Sequence, residues 1–128
     1  MPLYECQTVK GTLSERQRQS LAESITSIHT QETGAPASYV HVLFKELEAG
    51  SAFTAGQVAT PAIIRGQIRA GRSQATRHAI LRAITDVYMA VTGADANAVV
   101  VAVVDIPASW AMEGGHIFPE PEQAPEVA

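Results

Sequence analysis

The sequence of 128 residues is poor in cysteine, in aromatic residues and in long apolar segments. Its one cysteine, Cys6, excludes an internal disulfide and a metal cluster built on cysteines. No apolar run approaches the roughly 18 residues that a membrane span needs. The N-terminus also lacks the charged and then apolar pattern of a signal peptide. We therefore predict a cytoplasmic protein that has no membrane partner.

Basic charge is scarce as well, because 9 lysines and arginines stand against 13 acidic residues and leave a net charge of −4. This balance argues against nucleic acid or anionic lipid as a partner. The four histidines show no ligand spacing, so we expect neither a metal site nor a cofactor. Hydrophobic residues make up 46% of the chain, which is enough for one folded domain with a proper core.

What the sequence does contain is an internal repeat that relates its two halves. Without gaps, positions 2–44 align with positions 61–103 and share eleven identities, beginning with Pro2 and Pro61. We interpret the chain as one domain, 1–128, built from a duplicated unit at about 2–57 and 61–113 and followed by a C-terminal tail.

Each unit has the pattern of a strand, a helix and a second strand. Ser14 and Ser73 are typical helix N-caps, and Gly34 and Gly93 suit the left-handed residue that ends a helix. The apolar runs predict strands at 3–9, 39–44, 63–68 and 99–104. Crossovers of this length join parallel strands, so two βαβ units are expected. The segment between the units is predicted to be a loop or short hairpin, and 107–113 a helical turn before a loosely ordered or neighbour-wrapping end.

Pro2 has two interpretations, because proline is tolerated at the first position of a strand and also makes an unusual N-terminus. If Met1 is removed, Pro2 carries a free secondary amine. The ordinary pKa of an α-amino group is about 7.7–8.0. Burial and nearby cations lower this pKa and a nearby carboxylate raises it, so roles as acid and as base both stay open.

Four other residues are candidates for chemistry. Arg69 and Arg72 lie between a strand and the cap of the second helix, either as solvated loop residues or as a clamp for a carboxylate or phosphate. His29 lies on the apolar side of the first helix, where histidines are more often packed than catalytic. Glu113 precedes two glycines and is either solvated or folded over a site.

Together these features resemble the tautomerase superfamily, and most closely its cis-3-chloroacrylic acid dehalogenase branch. Four stretches carry the resemblance in order over residues 1 to about 121: MPLYECQT, ITSIHTQETG, IRAGRS and DIPASWAMEGGHIFPEP. The resemblance implies an α/β fold of two fused β-α-β units, with a four-stranded mixed sheet and two helices on one face. It also implies a homotrimer.

The same resemblance implies catalytic roles. Pro2 would be the acid or base, Glu113 would activate a water, and His29 would assist at the substrate carboxylate. Arg69 and Arg72 would bind that carboxylate.

One position departs from the family pattern. Ala102 stands where the family has a tyrosine that helps the glutamate to handle water, and this departure predicts weak dehalogenation.

The expected activity is therefore that of an amino-terminal-proline enzyme acting on a small unsaturated or 2-oxo carboxylic acid. It would combine cis-3-haloacrylate dehalogenase or hydratase chemistry with enol–keto tautomerase activity. Two alternatives remain open at this point. One is an enzyme like malonate semialdehyde decarboxylase, and the other is a ferredoxin-like anion-binding module without catalysis.

Overall fold

The computed structural model describes residues 1–121, which form one four-stranded sheet, two helices and two short hairpins. The helices are α1 (Glu15–Thr33) and α2 (Gln74–Thr92). The strands, in chain order, are β1 (Leu3–Val9), β2 (His41–Leu47), β3 (Phe53–Thr54), β4 (Gln57–Val58), β5 (Ala62–Arg69), β6 (Val99–Ile106), β7 (Met112–Glu113) and β8 (His116–Ile117).

The main sheet is mixed, as predicted, with the strand order β2-β1-β5-β6. β1 pairs with β2 in parallel, β5 pairs with β6 in parallel, and the two central strands β1 and β5 are antiparallel. The predicted fold class is thereby confirmed. Because β1 and β5 run in opposite directions, the beginning of β1 lies beside the end of β5, which brings the N-terminus near Arg69.

Both helices begin and end where their capping residues predict. The hydroxyl of Ser14 accepts a hydrogen bond from the Gln17 N–H, and that of Ser73 accepts one from Thr76. Gly34 and Gly93 end the helices in the left-handed conformation that favours glycine. The alignment that relates the two halves of the sequence places α1 on α2 from end to end, and it places the hairpin β3–β4 on β7–β8.

The core lies between the helices and one face of the sheet. Its fully buried members include Tyr4, Cys6, Leu21, Ile25, Ile64, Ile68, Ile80, Ile84 and Tyr88. No helix in the described part of the chain covers the opposite face, and several large apolar side chains are exposed along its strands: Leu43, Leu47, Val100 and Val104. The structure therefore has a covered face and an open face.

The segment after β6 differs from its prediction. The helical turn is confined to Ala108–Trp110, and Glu113 instead lies on β7, paired with His116. The reason is the turn at Gly114 and Gly115, whose φ angles of 61° and 80° suit a tight two-residue hairpin. Residues 116–121 also pack on their own chain, whereas 122–128 of the predicted loose end lie outside the described residues.

No helix within residues 1–121 is both long enough and apolar enough to cross a bilayer.

Gly66 on β5 is required by close packing against Tyr4. A Cβ atom at this position would lie 2.4 Å from Cε1 of the buried Tyr4 ring. We expect G66A to lower the free energy of unfolding by about 1–3 kcal/mol, the usual penalty for overpacking a core. Urea denaturation measures this change. Q67A, the next residue on the same strand but facing the open side, is the control and should have a much smaller effect.

Candidate active site

The N-terminus lies at the beginning of the central strand β1, where Pro2 is fully buried. The carbonyl of Pro2 accepts a hydrogen bond of 3.0 Å from the backbone N–H of His41. Met1 precedes it, and the Met1 amine lies 3.2 Å from Oε1 of Glu113. The hairpin β7–β8 thus brings a carboxylate to the terminal amine across 112 residues of sequence.

Arg69 ends β5 beside this terminus and is only 7% exposed. Its guanidinium donates a hydrogen bond of 2.7 Å to the carbonyl oxygen of Pro119. The guanidinium carbon lies 5.5 Å from the centre of the Tyr39 ring and 6.0 Å from that of Phe118. Cations at this distance are attracted by aromatic rings, so the two rings and the carbonyl hold Arg69 in one place.

Arg72 lies in the loop before α2 and donates a hydrogen bond of 2.8 Å to the carbonyl oxygen of Thr33 at the end of α1. Burial and the nearby charge of Arg69 lower the pKa of Arg72. Within residues 1–121, neither guanidinium forms an ion pair with a carboxylate. Among the residues that the structure describes, these two positive charges are therefore uncompensated, and one of them is buried.

His29 faces the interior from α1 and is 2% exposed. Its Nδ1 and the Tyr4 hydroxyl are hydrogen-bonded at 2.8 Å. Burial, followed by the charges of Arg72, Arg69 and the N-terminus, lowers the pKa of His29 from 6.5 to about 4. At neutral pH the ring is uncharged. Burial also raises the pKa of the Tyr4 hydroxyl, which keeps its proton. In the tautomer in which this hydroxyl donates to Nδ1, Nε2 of His29 carries the ring proton.

The shifted pKa of His29 predicts how stability depends on pH. The unfolded chain takes up this proton near pH 6.5, whereas the folded chain takes it up near pH 4. The stability that depends on the neutral ring is thus complete above pH 6.5 and is lost as the pH falls towards 4. We expect this loss to reach up to about 3 kcal/mol.

Urea denaturation across this pH range checks the expectation. H29Q should give a flatter dependence of unfolding free energy on pH than the unsubstituted chain, and H78Q, at an exposed position on α2, should leave it unchanged. Equal slopes for the chain and for H29Q would contradict the assignment.

Glu113 makes two polar contacts through the same oxygen. Its Oε1 lies 3.2 Å from the terminal amine and 2.7 Å from Nε2 of His41. The hydrogen bond from His41, and then the contact with the amine, lower the pKa of Glu113 although its partial burial opposes this. The carboxylate is therefore ionised at neutral pH.

The terminal amine experiences opposing influences. Burial has the largest effect and lowers its pKa; the hydrogen bond and charge of Glu113 raise it, and Arg69 lowers it further. The net direction is downward from 8.0, so a larger fraction of the amine is neutral at neutral pH than for a free terminus.

The structure connects the residues singled out in the sequence, which are Pro2, His29, Arg69, Arg72 and Glu113. Glu113 contacts the terminal amine and Arg69 acts on it, while the charges of Arg69 and Arg72 both act on His29. Sequence reasoning missed Tyr4, Tyr39, His41 and Phe118, which hold these groups in place. For Tyr4 a signal existed, because alternation along β1 places it on the buried face together with Cys6. The contacts of Tyr39, His41 and Phe118 depend on strand order and hairpin geometry, which no local pattern reports.

Ala102, by contrast, does not face this cluster. It lies on β6 in register with Arg65 and is exposed on the open face of the sheet. The predicted effect of its missing hydroxyl on dehalogenation stays a prediction.

The fold and this cluster define the class of protein: a fused βαβ domain with titratable groups around its terminal amine. Residues 1–127 match the family described as "Putative oxalocrotonate tautomerase enzyme", and the chain belongs to this tautomerase family. None of the curated proteins compared with the chain is significantly similar to it.

Solved structures agree with this assignment. The chain is 97% identical to native Ps01740, with a TM-score of 0.86 over 87% of this chain and 99% of that one. It is 30% identical to N1, a member of the cis-3-chloroacrylic acid dehalogenase family, with a TM-score of 0.90 over 94% of this chain and 85% of that one. It is 26% identical to a wild-type fused 4-OT symmetric trimer, with a TM-score of 0.77 over 84% and 87% of the two chains.

Proposed function

We propose that Met1 is removed and that the Pro2 amine then transfers protons to and from a small unsaturated or 2-oxo carboxylic acid. The main activity would be enol–keto tautomerisation, with weak hydration or dehalogenation of cis-3-haloacrylates. The observation that carries the proposal is the pair of arginines, Arg69 and Arg72, which have no carboxylate partner within residues 1–121; Arg69 acts on the terminal amine, and Arg72 is near Arg69. Buried charges need compensation, and a substrate carboxylate supplies it.

The first step is binding. The substrate carboxylate accepts hydrogen bonds from the two guanidinium groups, which can each form a bidentate pair with it. Neutral His29 adds a donor at Nε2 and no further charge, because a third cation would be expensive at this depth. The aromatic rings of Tyr39 and Phe118 keep Arg69 in place and exclude water from its faces.

The second step is proton transfer at the terminal amine. A partly neutral amine removes the proton from the enol oxygen or from carbon, and the protonated amine returns it to the other atom, which balances the isomerisation. Glu113 stabilises the protonated form through its negative charge. For a haloacrylate, the same carboxylate would instead accept a proton from a water that attacks the β-carbon while the amine protonates the α-carbon. The resulting 3-halo-3-hydroxy acid would then expel halide and lose its hydroxyl proton to give the 3-oxo acid.

The occupied space around the amine supports the removal of Met1. In the unprocessed chain the Met1 amine contacts Glu113, and the Met1 side chain is only 12% exposed. Methionine is readily removed before small residues such as proline, and its loss would free this space for a substrate.

We also propose a homotrimer, like the fused 4-OT protein. The apolar side chains exposed on the open sheet face favour burial against other copies. Sedimentation equilibrium should give a mass of three chains.

The experiment that tests the function combines mass spectrometry with an NMR screen. The intact mass should correspond to the chain without Met1, and retained methionine would contradict the catalytic amine and favour an anion-binding module. The screen then follows phenylenolpyruvate, cis- and trans-3-chloroacrylate, propiolate and malonate semialdehyde. Rapid ketonisation with slow turnover of the cis-haloacrylate is expected, whereas preferential release of carbon dioxide from malonate semialdehyde would favour a decarboxylase.

A further inference from the structure

His41 has no role in the function proposed above, yet it contacts both Pro2 and Glu113. Its backbone N–H donates to the carbonyl of Pro2 at 3.0 Å. Its Nε2 lies 2.7 Å from Oε1 of Glu113, a shorter contact than the 3.2 Å between that oxygen and the Met1 amine of the unprocessed chain. One residue, the first of β2, therefore connects the backbone of the proposed catalyst with the proposed water-activating carboxylate.

Glu113 depends on such contacts, because little else fixes it. It lies on a strand of two residues, directly before Gly114 and Gly115, and β7 pairs only with β8 in the described sheets. The Glu113 side chain is 36% exposed. Its position is set by the two polar groups that reach Oε1.

The internal repeat has no second copy of the His41–Glu113 pair. In the alignment of the two halves, His41 corresponds to Val100 and Glu113 corresponds to Thr54. The equivalent site around Pro61 thus has neither the imidazole nor the carboxylate, although the hairpin β3–β4 that carries Thr54 is formed in the same way as β7–β8. The His41–Glu113 contact is therefore found at the hairpin beside the terminal amine and is absent from the equivalent hairpin β3–β4.

We infer that His41 is a positioning residue that holds the Glu113 carboxylate at the chain terminus, where removal of Met1 would leave the Pro2 amine; the inference rests on the proposed role of that amine. With Nε2 as donor, His41 keeps the carboxylate in one rotamer and ionised. The hydrogen bond from His41 lowers the pKa of Glu113, in agreement with this arrangement. Without it, Glu113 would move into solvent and the amine would lose the charge that stabilises its protonated form.

Several titratable groups face this pair, and the experiment must separate them. Glu113 faces the terminal amine, His41 and, across the hairpin, His116. Arg69 acts on the same amine from β5, and the amine acts on His29 from the other side.

The variants are H41A, H41L and H41Q, with H78A as the control at an exposed position on α2. H41A and H41L both remove the donor. H41L keeps most of the side-chain volume, so it serves as the test if H41A does not fold. H41Q keeps an N–H donor but cannot titrate. For each folded protein, kcat and KM for phenylenolpyruvate are measured as functions of pH. The pKa of the terminal amine is followed by 15N NMR in protein labelled at proline and methionine.

We expect H41A and H41L to lower kcat by about tenfold to a hundredfold, as misplaced reacting groups do. KM should change by less than about twofold, because the substrate-binding arginines are untouched. The amine pKa should fall by about 1 pH unit, since its carboxylate partner is released. H41Q should restore most of kcat and most of the amine pKa, and H78A should change neither quantity.

An amine pKa that is unchanged or raised in H41A and H41L would overturn the inference, as would an equal effect of H78A. Because the NMR titration needs no substrate, this result differs from failure of the proposed function. That failure would be an unsubstituted protein that turns over none of the substrates or keeps Met1.

Discussion

P2A is expected to lower kcat/KM for the ketonisation of phenylenolpyruvate by about 10²- to 10⁴-fold, which is the usual contribution of a positioned acid or base. Alanine leaves a primary amine on an unrestrained chain end, so both the basicity and the direction of the nitrogen lone pair change. Glu113 and the arginines remain, and substrate binding should be largely preserved. Initial rates from the ultraviolet absorbance of the enol measure the loss.

The chain supplies a matched control for this substitution. Pro61 leads β5 as Pro2 leads β1, but its nitrogen is part of a peptide bond and has no proton-transfer capacity. P61A should therefore leave kcat/KM within about twofold, the range of substitutions away from special sites. Intact masses must show that P2A has lost Met1. Full activity of a correctly processed P2A would exclude proline catalysis.

R72A should reduce kcat/KM by about tenfold to a hundredfold, mostly through KM, since hydrogen bonds to charged groups contribute about 1.5–3 kcal/mol. Arg72 is preferred to Arg69 for this test, because Arg69 also holds the Pro119 carbonyl and two aromatic rings. R72K keeps the charge but loses the planar fork, so it should recover only part of the loss.

Two comparisons make the test specific. R82A removes one positive charge from an exposed position of α2 and should change kcat/KM little. The methyl ester of the enol has no carboxylate to bind, so R72A should barely affect its slow turnover. The same penalty for the acid and for its ester would show that Arg72 does not contact the carboxylate.

The pseudo-repeat explains why the chain has one candidate site and not two. The elements of the two halves coincide when the halves are aligned, and so do the ion pairs Arg18–Glu46 and Arg77–Asp105 that join each helix to a strand. The chain has only one terminal amine, however, and its position beside Arg69 follows from the antiparallel pairing of β1 with β5. The equivalent of Arg69 in the first half is Lys10, which pairs with Glu48 and is exposed.

The sequence by itself determined the elements and the fold class. Ser14, Ser73, Gly34 and Gly93 set the ends of both helices, because capping is decided by hydrogen bonds and dihedral angles within a few residues. The internal repeat and the apolar strands then limited the topology to two βαβ units. The spacing of apolar residues within a strongly periodic segment can be read directly from the sequence.

The tertiary structure alone decided which side chains meet and in what state. The contact of Glu113 with the Met1 amine spans 112 residues of sequence and depends on where the hairpin β7–β8 lies in the fold. The low pKa of His29 depends on burial beneath the sheet and on cations from a distant loop. These are long-range effects of packing and charge, which no spacing in the chain encodes. The sequence could therefore name the candidate groups, but only the fold shows how their charges and protons are arranged.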